Sequence, residues 1–174
     1  AKDSGACRSE FSFGQLERML DDCVRCGIMR ISLTGGEPLL RHDFDQLLRA
    51  IAARGMSLAN ITTNGSLITD ELLALMKSLG QRPLMRVSFD GIGWHDWMRG
   101  VPGAESVAIE AINKLRAADF PVLAQMCVHT NNISSMRETA EFMASLGVND
   151  LRIMRTGESP RWVARSEGKA LTFS

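Results

Sequence analysis

The chain has 174 residues, 20 Lys and Arg against 20 Asp and Glu, and four cysteines, which fits one domain and gives no support to nucleic acid or an anionic membrane as the main partner. A hydrophobic share of 45% and a charged share of 23% exclude disorder, and no apolar run approaches the ~18 residues of a membrane span. The polar start Ala1-Lys2-Asp3-Ser4-Gly5 is not a secretory signal, and Cys7, Cys23, Cys26 and Cys127 form no disulfide framework, so a reducing, cytoplasmic setting is expected.

Residues 13–27 read as a helix with Leu16, Met19, Leu20, Cys23 and Cys26 on one face. Ser12 and Gln15 make a capping box, and Gly27 is the stop. A strand over 28–34 runs into a Gly-Gly-Glu-Pro loop; a helix over 43–54 carries Phe44, Leu47, Leu48 and Ile51 at helical spacing. The next strand, 57–63, ends in Asn64-Gly65, and a helix from Thr69 buries Leu72, Leu75, Met76 and Leu79. After a strand over 84–89, a loop rich in Gly and Trp leads to a helix over 103–118 with Val107, Ala111, Ile112 and Leu115 inward. A strand over 121–129, a helix from Ser134 or Ser135 capped with Glu138, and a strand over 150–155 complete the pattern; a polar tail follows. Such alternation predicts an α/β fold with a parallel sheet and crossover helices. The core domain is expected over 1–155, with 156–174 a tail or linker.

Strands of parallel sheets are usually apolar on both faces. Here one face carries Arg30, Ser32, Thr34, Asn60, Thr62, Asn64, Arg86, Ser88, Asp90, Gln125, Cys127, His129, Arg152 and Met154, twelve of fourteen polar. The other, from Met29, Ile31 and Leu33 to Leu151 and Ile153, is apolar at thirteen of fourteen positions, Thr63 being the exception. Helices must cover the second face. The first is either a sheet surface in water or the inside of a curved, partly closed barrel; the barrel is preferred, because a complete eight-stranded one would be filled with Val, Ile and Leu. The ligand edge is then at the strand C-termini.

Those C-termini carry Thr34-Gly35-Gly36-Glu37-Pro38, whose glycines let backbone approach a ligand and whose Glu37 suits an ammonium group. They also carry Ser88-Phe89-Asp90-Gly91, where Asp90 could take the two hydroxyls of a ribose, and Arg99, which could clamp a carboxylate. Singly, each is an ordinary turn or surface residue. In order, the strings Leu33 to Arg41, Thr62-Thr63-Asn64-Gly65 with Leu67-Ile68-Thr69, and Val87 to Gly91 running on to His95-Asp96 and Arg99 resemble the radical S-adenosylmethionine (SAM) enzymes. The resemblance is to the group of molybdenum-cofactor, nitrogenase-cofactor and pyrroloquinoline-quinone maturases and anaerobic sulfatase maturases, over about residues 1–155.

The resemblance implies a six-stranded partial (β/α) barrel that binds SAM and a [4Fe-4S] cluster. It implies that Gly35, Gly36 and Glu37, opened by Thr34, meet the SAM amino group; Ser88 and Asp90 the ribose; Arg99 the carboxylate; Asn64 the cofactor's edge; and Met154, beside Ile153, the adenine. The implied reaction is reductive cleavage of SAM to a 5′-deoxyadenosyl radical that abstracts a substrate hydrogen, with peptides or proteins among the substrates. Gln125, Cys127 and His129 are the expected substrate-pocket positions. The family's Cys-x3-Cys-x2-Cys loop is absent: Cys23 and Cys26 fall on an apolar helix face and are expected to pack, so no residue is assigned to metal and none as catalytic. The expectation is a chain that starts after the cluster loop, lacks the first strand and is inactive alone. Two other readings stand beside it: a non-catalytic barrel that holds SAM or a peptide without a cluster, and a cluster-independent barrel enzyme using Asp90 with His129 as its acid–base pair.

Overall fold

The computed structural model describes residues 10–148 and 150–156. Five strands form one parallel sheet in chain order: β1 (Arg30–Leu33), β2 (Ser57–Thr63), β3 (Leu84–Ser88), β4 (Val122–Val128) and β5 (Leu151–Arg155). Between and before them lie α1 (Phe13–Arg25), α2 (Phe44–Ala53), α3 (Asp70–Ser78), α4 (His95–Arg99), α5 (Ala104–Ala117) and α6 (Met136–Ser145). Among the described residues there are five strands, as expected of a six-stranded partial barrel without its first. No described helix is long and apolar enough to cross a membrane.

The apolar strand face and the helices make the core. Ile61, Met85, Val87, Phe89 and Ala124 pack with Leu48, Ile51, Met76, Ile112, Leu115 and Met143, all buried. Each of these side chains other than that of Ala124 contributes about 1.5–3 kcal/mol by leaving water. The pattern slips at one place. Ile31 pairs with Leu58 but Ser32 pairs with Asn60, so Ala59 is an extra residue in β2. The bulge lets Leu58 enter the core while Asn60 two residues on still faces inward, donating from Nδ2 to Ser32 Oγ at 2.8 Å. Strict alternation had given Ala59 that core place. Below the bulge β3 does not reach, and buried Gln81 stands in for it: Leu58 N–H donates to Gln81 Oε1 at 2.8 Å, and Gln81 Nε2 donates to Met56 O at 3.0 Å.

Several helix expectations shift. The Ser12–Gln15 capping box forms on α1, yet only Leu20 of that helix is buried; Met19 is exposed and Cys26 is an exposed C-cap rather than a core residue, while Cys23 packs partly. α1 packs against α2, and Phe13, Leu16 and Cys23 are only partly covered there. On α5 the inward position is Ala108, and Val107 is 39% exposed. No capping box forms on α6: a short 3₁₀ turn, Ile133–Ser135, precedes it, and Ser135 Oγ donates back to Asn132 O instead. α4, five residues long, lies where a loop was expected.

Candidate functional site at the strand C-termini

The loop after β1 is held open by one carboxylate. Gly35 has φ +131°, which favours glycine, and Thr34, Gly35 and Gly36 are exposed. A Cβ on Gly35 or Gly36 would meet nothing within 4 Å, so conformation rather than space requires glycine at Gly35. Glu37 Oε1 accepts from Thr63 Oγ1 at 2.8 Å and from Leu39 N–H at 3.2 Å; Oε2 accepts from Asn64 N–H at 2.7 Å. A carboxylate has about four acceptor directions, so one on Oε2 remains for a ligand. Thr63, the single polar residue of the apolar face, is thereby explained: it is buried and its hydroxyl positions Glu37. Asn64 is exposed at the end of β2, its Oδ1 accepting from Ser66 N–H at 2.8 Å.

The end of β3 is closed. Asp90 is 0% exposed. Its Oδ1 accepts from Cys127 N–H at 3.0 Å, and its Oδ2 lies 2.9 Å from Arg99 Nε and 3.2 Å from His95 Nδ1. His95 Nδ1 also accepts from Asp90 N–H at 3.0 Å; the two contacts of this nitrogen belong to different tautomers. Burial pushes the Asp90 carboxyl up, but the His95 hydrogen bond, the Arg99 charge and the Cys127 amide outweigh it and hold it below the usual carboxylate range. The expectation that Asp90 meets a ribose is therefore corrected: it is fully buried and both its oxygens are engaged by protein donors. Arg99 keeps a 34% exposed side chain. It shares a cavity of about 390 Å³ with Asn64, Ser66, Val101 and Val107, so two residues expected around the cofactor line one space. A second cavity, about 330 Å³, touches Thr34, Gly36 and Glu37 but is walled by Leu16, Phe44 and Leu47 on the helix side, away from the concave face.

Three residues of this end escaped the sequence reading. His95, the first residue of α4, is buried, stacks on Phe89 at 5.4 Å and steadies Asp90. Asn132 is buried; its Nδ2 donates to Asp90 O and Cys127 O, and its Oδ1 accepts from His129 N–H, tying the ends of β3 and β4 together. Asp96 accepts from Gly103 N–H and Glu105 N–H and so caps α5. The Asp-x4-His spacing from Asp90 to His95 was the one available signal; Asn132 gave none. Gly91, at φ +109°, admits no side chain: a Cβ would stand 2.7 Å from Ser135 Oγ.

His129 is 0% exposed and lies beneath Trp94 and Trp97, with ring centroids 5.9 and 5.2 Å away. Its expected place in a substrate pocket is corrected, and so is the acid–base pairing with Asp90, since neither group reaches an open space. Trp94 and Trp97 pack here, and Trp97 remains 50% exposed. Cys127 is half-buried, and burial and Asp90 push its thiol up. Ser88 and Gln125 face each other across β3 and β4, and Cys127 and Met154 across β4 and β5. No group of three or more Cys, His, Asp or Glu among the described residues could hold a metal. Cys23 and Cys26 sit on and beside α1 and Cys127 on β4, so they do not fit a [4Fe-4S] cluster; Cys7, Arg161 and Trp162 lie outside the described residues.

Residues 7–143 match the model of the Radical SAM superfamily. The chain belongs to that superfamily. Its members use SAM and a [4Fe-4S] cluster. The chain is 32% identical over 149 residues to the AdoMet-dependent heme synthase of Methanosarcina barkeri, covering 84% of this chain and 42% of that protein. It is 30% identical over 148 residues to the sporulation killing factor maturation protein SkfB of Bacillus subtilis, covering 84% and 36%. The chain thus spans about two-fifths of the length of these relatives. Crystal structures of Streptococcus suis SuiB, bound to SAM and to precursor peptide SuiA, superpose with TM-scores of 0.72 and 0.70 at 18% identity. They cover 88% and 87% of this chain, and 36% and 34% of that one. The fold is shared: five parallel strands with helices in a partial barrel.

Proposed function

We propose that this chain is the SAM-holding core of a radical SAM oxidoreductase that removes hydrogen from a peptide or protein in a reducing, cytoplasmic setting. The observation that carries the proposal is the open loop Thr34–Glu37, with Gly35 at φ +131° and one acceptor direction of Glu37 left over, beside a concave polar face. The peptide class is supported by the relatives, among them SkfB and the PqqA peptide cyclases, and by the SuiA-bound neighbour.

Bound SAM supplies the hydrogen-abstracting chemistry; the chain's own residues hold and orient it. Exposed backbone at Thr34, Gly35 and Gly36 and the free side of Glu37 take the amino group. The exposed part of the Arg99 guanidinium takes the carboxylate, with Asp90 and His95 fixing its position and Asn64 lining the same cavity. Ser88, on the concave face, is the remaining candidate for the ribose, and Met154 lies across from Cys127 for the adenine. The cluster is assigned to none of the described residues, and the chain alone is expected to be inactive in radical chemistry.

The test is the full-length protein purified without oxygen. It should bind SAM by calorimetry and, once reduced, release 5′-deoxyadenosine, while the 174-residue chain should release none. SAM binding by the full-length protein without cleavage under reduction would favour the non-catalytic barrel. Absence of SAM binding would remove the radical SAM reading and leave only a peptide-binding form of the non-catalytic barrel.

A further inference from the structure

Two buried polar atoms on the concave face lack partners among the described residues. Gln125 is 8% exposed; its Nε2 lies 3.7 Å from Met154 Sδ, and its Oε1 accepts nothing. Arg86 Nε is likewise buried and donates to nothing. The register makes these groups neighbours. Gln125 stands opposite Ser88 on β3 and opposite Arg152 on β5, and Arg86 is one same-face step before Ser88.

The two arginines are also free of acid. Among the described residues no ion pair includes Arg86 or Arg152. Asp90, the one carboxylate among the strand positions read on this face, is already held by Arg99, His95 and the Cys127 amide. A buried polar group without a partner is costly, more so when charged, so an unmet donor beside an unmet acceptor marks a place where a ligand completes the set.

The geometry points to Arg86, Gln125 and Arg152 as a subsite for an acidic residue of a peptide substrate, the side-chain carboxylate meeting the guanidiniums and a peptide N–H meeting Gln125 Oε1. This rests on the reading that the concave face receives substrate. A guanidinium offers the planar fork that matches a carboxylate. The floor beside it is apolar: Leu123, paired with Arg86 across β3 and β4, is 3% exposed. A singly charged carboxylate loses less hydration there than a dianionic phosphate. The acceptor at Gln125 asks for a donor on the same ligand, which a peptide has and a simple polycarboxylate lacks.

The experiment uses the full-length protein saturated with SAM and three probes followed by ligand-detected NMR: N-acetyl-L-glutamate N-methylamide, its glutamine counterpart, and tricarballylate. The glutamate probe should bind at least tenfold more tightly than the glutamine probe. Arg86→Gln and Gln125→Leu should each weaken it about tenfold. Arg152→Gln, on the exposed edge strand where folding is not at stake, should weaken it severalfold. SAM affinity, measured in parallel, should stay unchanged in all three variants. Equal binding of the glutamate and glutamine probes, or an unaltered affinity in Arg152→Gln and Arg86→Gln, overturns the subsite. Tricarballylate bound as tightly as the glutamate probe and indifferent to Gln125→Leu overturns the peptide source. Loss of SAM binding in the unaltered protein would instead count against the reading of the whole chain.

Discussion

The loop after β1 and the loop after β3 look alike in sequence: each follows a strand, each has glycine, and each carries one acid. Folded, they are opposites. Glu37 ties its loop to β2 with three hydrogen bonds and keeps a fourth direction, next to exposed backbone. Asp90 is fully buried and shared among Arg99, His95 and the Cys127 amide. Each acid meets three donors, so an acid at a strand end is a ligand or a strut according to whether the fold leaves it in reach of solvent: Glu37 is half-buried and Asp90 is 0% exposed. The donors here come from residues 5, 9 and 37 positions away in sequence.

The largest expected effect breaks the strut. Asp90→Ala leaves the Cys127 amide and His95 without an acceptor inside the protein and frees Arg99. Unfolding by urea should show a loss of about 2–4 kcal/mol, the cost of stranding buried partners of a charge. Asp90→Asn, which keeps one acceptor oxygen, should lose less. It should also flatten the acid limb. Because the folded carboxyl lies below its ordinary value, its stabilisation is present above the unfolded value of about 4 and is lost as pH falls through the folded one. A neutral-pH stability equal to the parent's in both variants would show that Asp90 is no strut.

Next comes the open loop. Glu37→Gln turns one acceptor into a donor facing either Thr63 or the Asn64 amide and removes the charge offered to the SAM ammonium. SAM affinity in the full-length protein should fall about ten- to hundredfold, as for loss of a charge-assisted hydrogen bond. Thermal stability should fall less than in Asp90→Ala. The reverse ranking, with stability lost and SAM affinity kept, would make Glu37 a strut as well and dissolve the contrast between the two loops.

How much of this was legible in the sequence follows from the range of the interactions. Period-two and period-3.6 patterns are local, so β2 was placed at 57–63 to the residue and the parallel pairing of the strands followed from alternation. The polar concave face was legible for the same reason. The bulge at Ala59 was not, because it is a property of β2 paired with β1. Thr63 appeared as an isolated exception, since its partner Glu37 is 26 residues away. Cys26 and Met19 were placed inward because helix periodicity reports a face, not whether anything covers it. His129 was read as a pocket residue from strand parity; what hides it is Trp94 and Trp97, brought over from the loop after another strand. Strand parity set the direction of each site side chain, but neighbours set its accessibility.

The smallest expected effect is a pH dependence confined to the closed end. His129 Nδ1 accepts from Asn131 N–H at 3.2 Å, which fixes the neutral ring, and burial beneath the two tryptophans pushes the imidazole down, only partly offset by Asp90. In the unfolded chain a histidine titrates near pH ~6.5. Between that value and the lower folded one the unfolded state binds the extra proton, so stability should decline as pH drops below about 6.5 and level off once the folded ring also protonates. Chemical denaturation at half-unit steps from pH 7.5 to about 5 would record that slope. His129→Gln should reduce it, at some constant cost in packing against Trp97. Thr34→Val, an exposed change in the open loop with no titrating group, should leave it as it is. A slope unchanged by His129→Gln would place the proton uptake elsewhere and leave the closed end a matter of hydrogen bonds rather than of charge.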